Sequence, residues 1–147
     1  MSATNTEAAR RWLAAADPDP VHADRWWDTM QVALLPVGQK WDAVRLGADD
    51  GIRITQRDDI TGPVIHDSYG RIAYVLVPRG TSATWQVDGT ECFGELCYLA
   101  VPAPERTEPP GPYWLQAPDG SGLLTDPATL AAALADHGPQ LPAEAFG

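Results

Sequence analysis

The sequence is short of basic side chains, cysteine and long apolar runs, and each shortage excludes a class of protein. Ten Lys and Arg oppose twenty Asp and Glu, so the formal net charge is −10. Binding to a nucleic-acid backbone relies on clustered Lys and Arg, and we therefore predict no nucleic-acid partner. No apolar run approaches the roughly 20 residues that cross a bilayer, and the N-terminus lacks the regions of a signal peptide. We predict a cytoplasmic protein without a membrane segment.

The two cysteines, Cys92 and Cys97, match no pattern for a disulfide framework or a metal site. Their separation is odd, so in a strand their side chains would point to opposite faces. Zinc needs further ligands at suitable spacing, and the three histidines, His22, His66 and His137, are distant in sequence. We interpret the cysteines as buried, reduced thiols and predict neither a metal nor a cofactor.

The few basic residues are unevenly distributed along the chain. Residues 1–62 carry ten acidic and seven basic side chains, whereas residues 63–147 carry ten acidic and three basic side chains. Such a charge balance attracts basic partners through long-range electrostatics. Two interpretations remain open: the acidity keeps a cytoplasmic protein in solution, or it forms a surface for a basic protein partner.

What the chain does contain is a series of short apolar runs separated by Gly and Pro. Runs of this length and punctuation predict short strands joined by tight turns. We predict strands at residues 32–36, 41–46, 64–66 and 72–77, a strand pair near 87–90 and 96–101, and an edge strand at 113–115. The fold class is therefore α+β, with a mostly antiparallel sheet of about five to six short strands.

Helices are predicted at both ends of the chain. The first runs from about residue 6 to residue 16, and the second begins at Asp19-Pro20, because Asp accepts N–H bonds at a cap and Pro suits a first turn. Residues 48–59 form a short helix or an irregular crossover. A C-terminal helix begins near Thr125 and is stopped by Gly138-Pro139. These elements form one domain, residues 1–138, followed by a tail, residues 139–147.

The stretch between Leu34 and Trp85 carries a resemblance to a known group of proteins. Its distinctive segments are Leu34-Leu35-Pro36-Val37-Gly38-Gln39-Lys40-Trp41, Gly62-Pro63-Val64-Ile65-His66-Asp67 and Tyr74-Val75-Leu76-Val77-Pro78-Arg79-Gly80-Thr81. Their order resembles the small actinobacterial proteins grouped with the N-terminal domain of bifunctional DNA primase/polymerases. The likeness covers roughly the first two thirds of the chain and lies in apolar, Gly and Pro positions.

The resemblance implies a catalytic pattern that this chain does not contain. Primase/polymerases of this superfamily hold metal ions with an Asp-x-Asp/Glu pair on one strand, whose alternate residues face the same way. Here Asp17-Pro18-Asp19 lies in a turn between predicted helices, and Asp49-Asp50 and Asp58-Asp59 are adjacent pairs. We therefore expect a primase/polymerase-like relative without that activity.

Three tryptophans are candidate contact residues for a protein partner. Trp26 and Trp27 are neighbours on the second helix, where consecutive side chains point about 100° apart, so both cannot face the core equally. Trp114 adjoins a proline-rich loop. Tryptophan is enriched at the energetic centres of interfaces, and we predict that a partner binds at these positions.

A second candidate site combines His66, Asp67 and Arg79. His66-Asp67 stands at a predicted strand end, and the loop Pro78-Arg79-Gly80-Thr81-Ser82 follows another strand. We predict that such a loop presents backbone N–H groups and Arg79 to an anion, in a cleft that also gathers His66 and Asp67.

Four functions follow from these observations. The leading hypothesis is a non-catalytic acidic binding or regulatory module that acts through protein contacts. The alternatives are an immunity- or antitoxin-type neutraliser of a basic toxin, and a small-molecule or nucleotide-binding enzyme with a cleft near His66 and Arg79. Nucleic-acid binding would require four arginines on one face, namely Arg45, Arg53, Arg57 and Arg71.

Overall fold

A computed structural model describes residues 2–137, which form four α-helices and seven β-strands. The helices are α1 Ser2–Ala14, α2 Pro20–Met30, α3 Ala48–Ile54 and α4 Pro127–His137. The strands are β1 Val32–Pro36, β2 Trp41–Gly47, β3 Val64–Asp67, β4 Ile72–Pro78, β5 Glu91–Phe93, β6 Tyr98–Pro102 and β7 Pro112–Gln116. The predicted tail at residues 139–147 lies outside the described residues.

The strands form two antiparallel sheets where the sequence predicted a single one. The main sheet has five strands in the order β5-β2-β4-β3-β7, and β1 pairs with β6 in a separate two-stranded sheet. In the small sheet Leu34 lies opposite Ala100, and in the main sheet Val44 lies opposite Val75. The predicted α+β class with antiparallel pairing is confirmed, and β7 is an edge strand as predicted.

Alternation along β2 divides the buried side chains into two cores, one on each face of the main sheet. Trp41 and Ala43 belong to the core shared with α1, α2 and the small sheet. Val44 and Leu46 belong to the core shared with α3 and α4. Because neighbouring strand residues point to opposite faces, the main sheet is the middle of three layers.

One arginine and the cap of α2 fix the two N-terminal helices. Asp19 caps α2 as predicted, since its carboxylate accepts the backbone N–H of Val21 at 3.2 Å. Arg10 of α1 donates to Asp24 at 2.8 Å and to Asp28 at 2.6 Å, both on α2. Its guanidinium also lies 5.3 Å from the centre of the Trp27 ring, so α1 and α2 pack as one unit.

The predicted strand near residues 87–90 is wrong, because side chains close a turn there. The indole N–H of Trp85 donates to the Thr90 hydroxyl at 2.8 Å, and that hydroxyl donates to the Val87 carbonyl at 2.7 Å. Gly89 adopts a φ of 82°, in the left-handed region. The strand β5 therefore begins only at Glu91.

Helix α3 packs closely on β4 because Gly51 has no side chain. A Cβ atom at Gly51 would lie 2.5 Å from the Cβ of Ala73, which is shorter than any ordinary contact. Gly47, which precedes the same helix, has open space around the corresponding position and an ordinary φ of −64°. The two glycines thus offer a matched comparison of packing and backbone effects.

We expect Gly51→Ala to lower the free energy of unfolding by about 1 kcal/mol. Overpacking costs about 1–3 kcal/mol, and the preference of helices for Ala over Gly, about 1 kcal/mol, offsets only part of it. Gly47→Ser, the control, keeps a favoured residue at the N-cap of α3 and should change stability by less than about 0.5 kcal/mol. Urea unfolding monitored by tryptophan fluorescence measures both. Equal stabilities for the two variants would contradict the close packing of α3 on β4.

Candidate functional site

Trp27 and Trp114 are structural residues, which corrects their prediction as contact residues. Both are buried, and both indole N–H groups donate to carbonyls at the end of β6. Trp27 donates to Val101 at 3.0 Å, and Trp114 donates to Pro102 and Ala103 at 3.1 and 3.0 Å. With the ring and its only donor engaged inside the protein, neither side chain offers surface to a partner.

Trp26 is partly exposed, as the sequence allowed for one of the two neighbouring tryptophans. Its indole N–H donates to Nε2 of His22 at 3.0 Å, and Nδ1 of His22 lies 3.2 Å from a carboxylate oxygen of Asp17. Since Nε2 accepts, the proton of the neutral ring is on Nδ1 and faces Asp17. The Asp17 side chain is buried between the first two helices, so this chain of contacts orders the α1–α2 turn.

His66 and Asp67 point to opposite faces of the main sheet, so they do not act as a pair. Nδ1 of His66 lies 2.5 Å from the hydroxyl of Tyr113, its cross-strand neighbour on β7. Asp67 instead accepts the backbone N–H groups of Tyr69 and Gly70, at 3.0 and 3.4 Å. Successive strand residues alternate in direction, and the Asp67 carboxylate serves the turn between β3 and β4.

His66 lines an open cleft of about 730 Å³ beside the N-terminal end of α3. The other lining residues are Gly47, Ala48, Asp49, Asp50, Ile52, Ser68 and Arg71. The predicted partners Asp67 and Arg79 do not line it. Among the described residues, no group of three or more His, Cys, Asp or Glu side chains is placed to hold a metal ion.

Arg79 lies far from His66, so the predicted cleft does not form. His66 pairs with Ala73 on β4, and Arg79 follows six residues later, about 20 Å along the strand. The Arg79 side chain is exposed, and its nearest acidic partner is Glu95 at 3.6 Å.

The predicted anion-binding loop after β4 holds a carboxylate of the chain itself. Asp42, whose residue exposure is only 1%, accepts the backbone N–H groups of Gly80 and Ser82 at 3.1 and 2.9 Å. The loop thus has the donor geometry expected of it, but Asp42 occupies it. Sequence reasoning missed Asp42; the one available signal was an acidic residue within the apolar run of β2.

The four arginines required for a nucleic-acid groove do not converge. Arg45 lies on the face of the main sheet that packs against the small sheet. Arg53 lies on α3, which packs against the opposite face. Arg45 bonds Glu91 at 3.0 Å, Arg53 bonds Asp50 at 2.6 Å, and Arg57 bonds Asp59 at 3.0 Å.

The outer side of the small sheet is an apolar surface, and sequence reasoning did not identify it. In β1 and β6 the residues Leu34, Pro36, Tyr98 and Ala100 face the same way, because cross-strand partners share a face. Leu34 is 49% exposed and Tyr98 is 69% exposed. Neither strand contains a charged residue. We call this surface, together with Leu96 at the adjoining turn, the apolar face.

Leu96 is unusual both in its exposure and in its backbone conformation. It is 99% exposed, and its φ of 75° lies in the left-handed region that a branched side chain rarely adopts. The turn that carries it is nevertheless held in place. A Cβ on Gly38 would lie 2.5 Å from the backbone nitrogen of Glu95, and the Val37 N–H donates to the Cys97 carbonyl at 2.8 Å. Strained, exposed residues on a fixed turn are typical of functional positions.

Comparison of the chain with protein families, with curated proteins and with solved structures gave no match. Within the described residues, the structure contains no helix with the length and apolar character needed to cross a membrane.

Both cysteines are free thiols and are partly, not fully, buried. Burial raises the pKa of the Cys92 thiol from its ordinary value of 9.0 to about 12, and the negative charge of Asp42 adds to this shift. A raised thiol pKa disfavours the reactive thiolate. At pH 8, a thiol with a pKa of about 12 contains about a thousandfold less thiolate than a thiol with a pKa of 9.0.

We expect Cys92 to be alkylated at pH 8 at least about thirtyfold more slowly than an unstructured cysteine peptide. A more basic thiolate is a stronger nucleophile, and this partly offsets the effect of the lower thiolate population on the alkylation rate. The measurement is the iodoacetamide rate of the Cys97→Ser variant, followed by mass spectrometry from pH 8 to pH 10. The rate should rise about tenfold per pH unit, because the pKa lies above this range. A plateau below pH 10 would contradict the raised pKa.

Proposed function

We propose that the protein is a non-catalytic acidic binding module that acts in the cytoplasm through contacts with another protein. Its ancestry, on this proposal, is that of a small relative of the primase/polymerase N-terminal domain, as the order of its apolar, Gly and Pro segments suggests. The observation that carries the proposal is the apolar face, whose most exposed side chains are Leu34, Leu96 and Tyr98, on a chain of net charge −10.

The composition of the apolar face favours a protein partner over a small molecule. Contiguous exposed apolar patches on monomeric proteins mark interaction sites, and the centres of protein interfaces are depleted of charge and enriched in aromatic residues. Here an exposed tyrosine and two exposed leucines lie on or beside two strands that carry no charge. Leu96 also projects from a turn and is 99% exposed, whereas small-molecule sites are concave.

The charges around the apolar face favour a basic partner. Residues 86–108, which include β5 and β6, contain five acidic side chains and one basic side chain. That basic residue, Arg106, donates to the carbonyl of Pro112 at 2.9 Å and to the side chain of Gln31 at 2.9 Å. Its donors are therefore engaged within the protein, and acidic side chains outnumber basic ones in this stretch of the chain. Complementary charge accelerates association and selects the partner.

An immunity- or antitoxin-type neutraliser is the form that this function takes if the partner is a toxic basic enzyme. The excess of acidic over basic residues supports a neutraliser as well as it supports a general binding module. Identification of the partner separates it from a general adaptor or regulatory module.

We expect Leu96→Asp to weaken partner binding by at least about thirtyfold, the loss typical of an interface hot spot. Leu96 has no buried neighbours to lose, so the fold should be unaffected. Val21→Asp is the control, since Val21 is similarly apolar and 55% exposed but lies at the start of α2. The tagged proteins are used for affinity purification from native cells, and the partner recovered is purified and titrated by calorimetry.

Equal binding by Leu96→Asp and Val21→Asp would contradict a role of the apolar face. Recovery of no partner by the unmodified protein would contradict the proposed function itself.

A further inference from the structure

The hydrogen-bonding register of the small sheet shows which backbone groups of β1 point away from β6. The N–H of Val37 donates to the carbonyl of Cys97 at 2.8 Å, and the N–H of Ala103 donates to the carbonyl of Gln31 at 2.9 Å. Val37 and Cys97 continue the β1–β6 register beyond one end of the ladder, and Gln31 and Ala103 continue it beyond the other end. In such a ladder, hydrogen-bonded and non-hydrogen-bonded pairs alternate, so residues 32, 34 and 36 direct their backbone groups outward.

Within residues 2–137, no strand lies beside the outward edge of β1. In the described part of the chain, β6 is the only strand that pairs with β1. The edge offers two donors, the N–H groups of Val32 and Leu34, and three acceptors, the carbonyls of Val32, Leu34 and Pro36. Pro36 has no N–H, and a proline in a strand is tolerated where its nitrogen faces away from the ladder.

The opposite edge of the small sheet lies beside the main sheet. Its last residue, Pro102, has no N–H, and its carbonyl accepts the indole N–H of Trp114 at 3.1 Å. The strand β6 also packs beside β7. The edge of the small sheet that faces away from the main sheet is therefore at β1, and this edge adjoins the apolar face through Leu34.

We propose that an extended segment of the partner protein adds to β1 as a third strand of the small sheet. This inference rests on the proposed function and specifies how the partner binds. Strand addition uses backbone hydrogen bonds for affinity and alternate side chains for specificity. The segment has apolar side chains at alternate positions, which extend the apolar face beside Leu34 and contact it. Lys or Arg flanks complement the net acidic charge of the chain, to which the exposed Glu105 beyond the end of β6 contributes.

A second copy of this chain is a poorer occupant of the edge. Two copies of net charge −10 repel each other. If two β1 strands paired antiparallel about Leu34, Val32 of one copy would lie opposite Pro36 of the other. The carbonyl of Val32 would then find no N–H donor, and the apolar face would double in size without being covered.

The test uses a phage-displayed library of random 12-residue peptides selected on the immobilised protein. Enriched peptides are synthesised and titrated against Leu34→Ala and Leu34→Pro. The first variant keeps the outward N–H and removes the side chain, whereas the second also removes the N–H. Neither change affects a bond to β6, since this N–H points away from it. Circular dichroism and thermal unfolding check that both variants fold.

The expected peptides alternate apolar with other residues and carry flanking Lys or Arg. They should bind Leu34→Pro at least about tenfold more weakly than Leu34→Ala. In the unmodified protein, amide hydrogen exchange at Val32 and Leu34 should slow by at least about tenfold when peptide is added, because both groups become hydrogen-bonded. This second measurement needs no variant and decides the question if Leu34→Pro does not fold.

Three results would overturn strand addition: no enriched peptide that depends on Leu34, equal binding to the two Leu34 variants, or unchanged exchange at Val32 and Leu34. A dimer in sedimentation analysis that dissociates on Leu34→Pro would overturn it in favour of a second copy. Partner binding that is lost on Leu96→Asp but retained on Leu34→Pro would leave the proposed function intact and make only the strand-addition mode wrong.

Discussion

The structure depends on two buried indole N–H groups, which hold the small sheet against α2 and against the main sheet. Trp27 of α2 and Trp114 of β7 donate to consecutive carbonyls at the end of β6, from Val101 to Ala103. A buried donor without a partner costs about 1–3 kcal/mol, and each ring buries roughly 150–250 Å². The position of β6 is therefore fixed from two directions, and β1 is fixed with it through the antiparallel ladder.

That constraint decides which side of the small sheet meets solvent. Leu35 and Leu99 face inward and are fully or almost fully buried, so Leu34 and Tyr98, their neighbours along the strands, must face outward. Strands that are apolar on both sides are normally covered on both. Here no part of residues 2–137 covers Leu34 and Tyr98 on the second side, and the turn before β6 presents Leu96 with a φ of 75°. The binding function that we propose would account for the exposure of these apolar side chains.

Local chemistry explains which features could be predicted from sequence. The cap at Asp19, the strand at 32–36 and the edge position of β7 depend on short-range patterns, and each is confirmed. The candidate site depended on neighbours distant in sequence. Asp42 fills the loop at Gly80 and Ser82 because β2 pairs with β4, and His66 meets Tyr113 because β3 pairs with β7. No spacing in the sequence specifies those pairings.

The sequence by itself determined the α+β class, the cap of α2 and the acidic charge, because these follow from composition and from interactions within a few residues. Only the tertiary structure decided that Trp27 and Trp114 are internal, that His66, Asp67 and Arg79 lie apart, and that Leu34 and Tyr98 are exposed. The sequence pattern of an apolar strand is the same whether one or both of its faces are buried. The difference arises only when another layer packs against it.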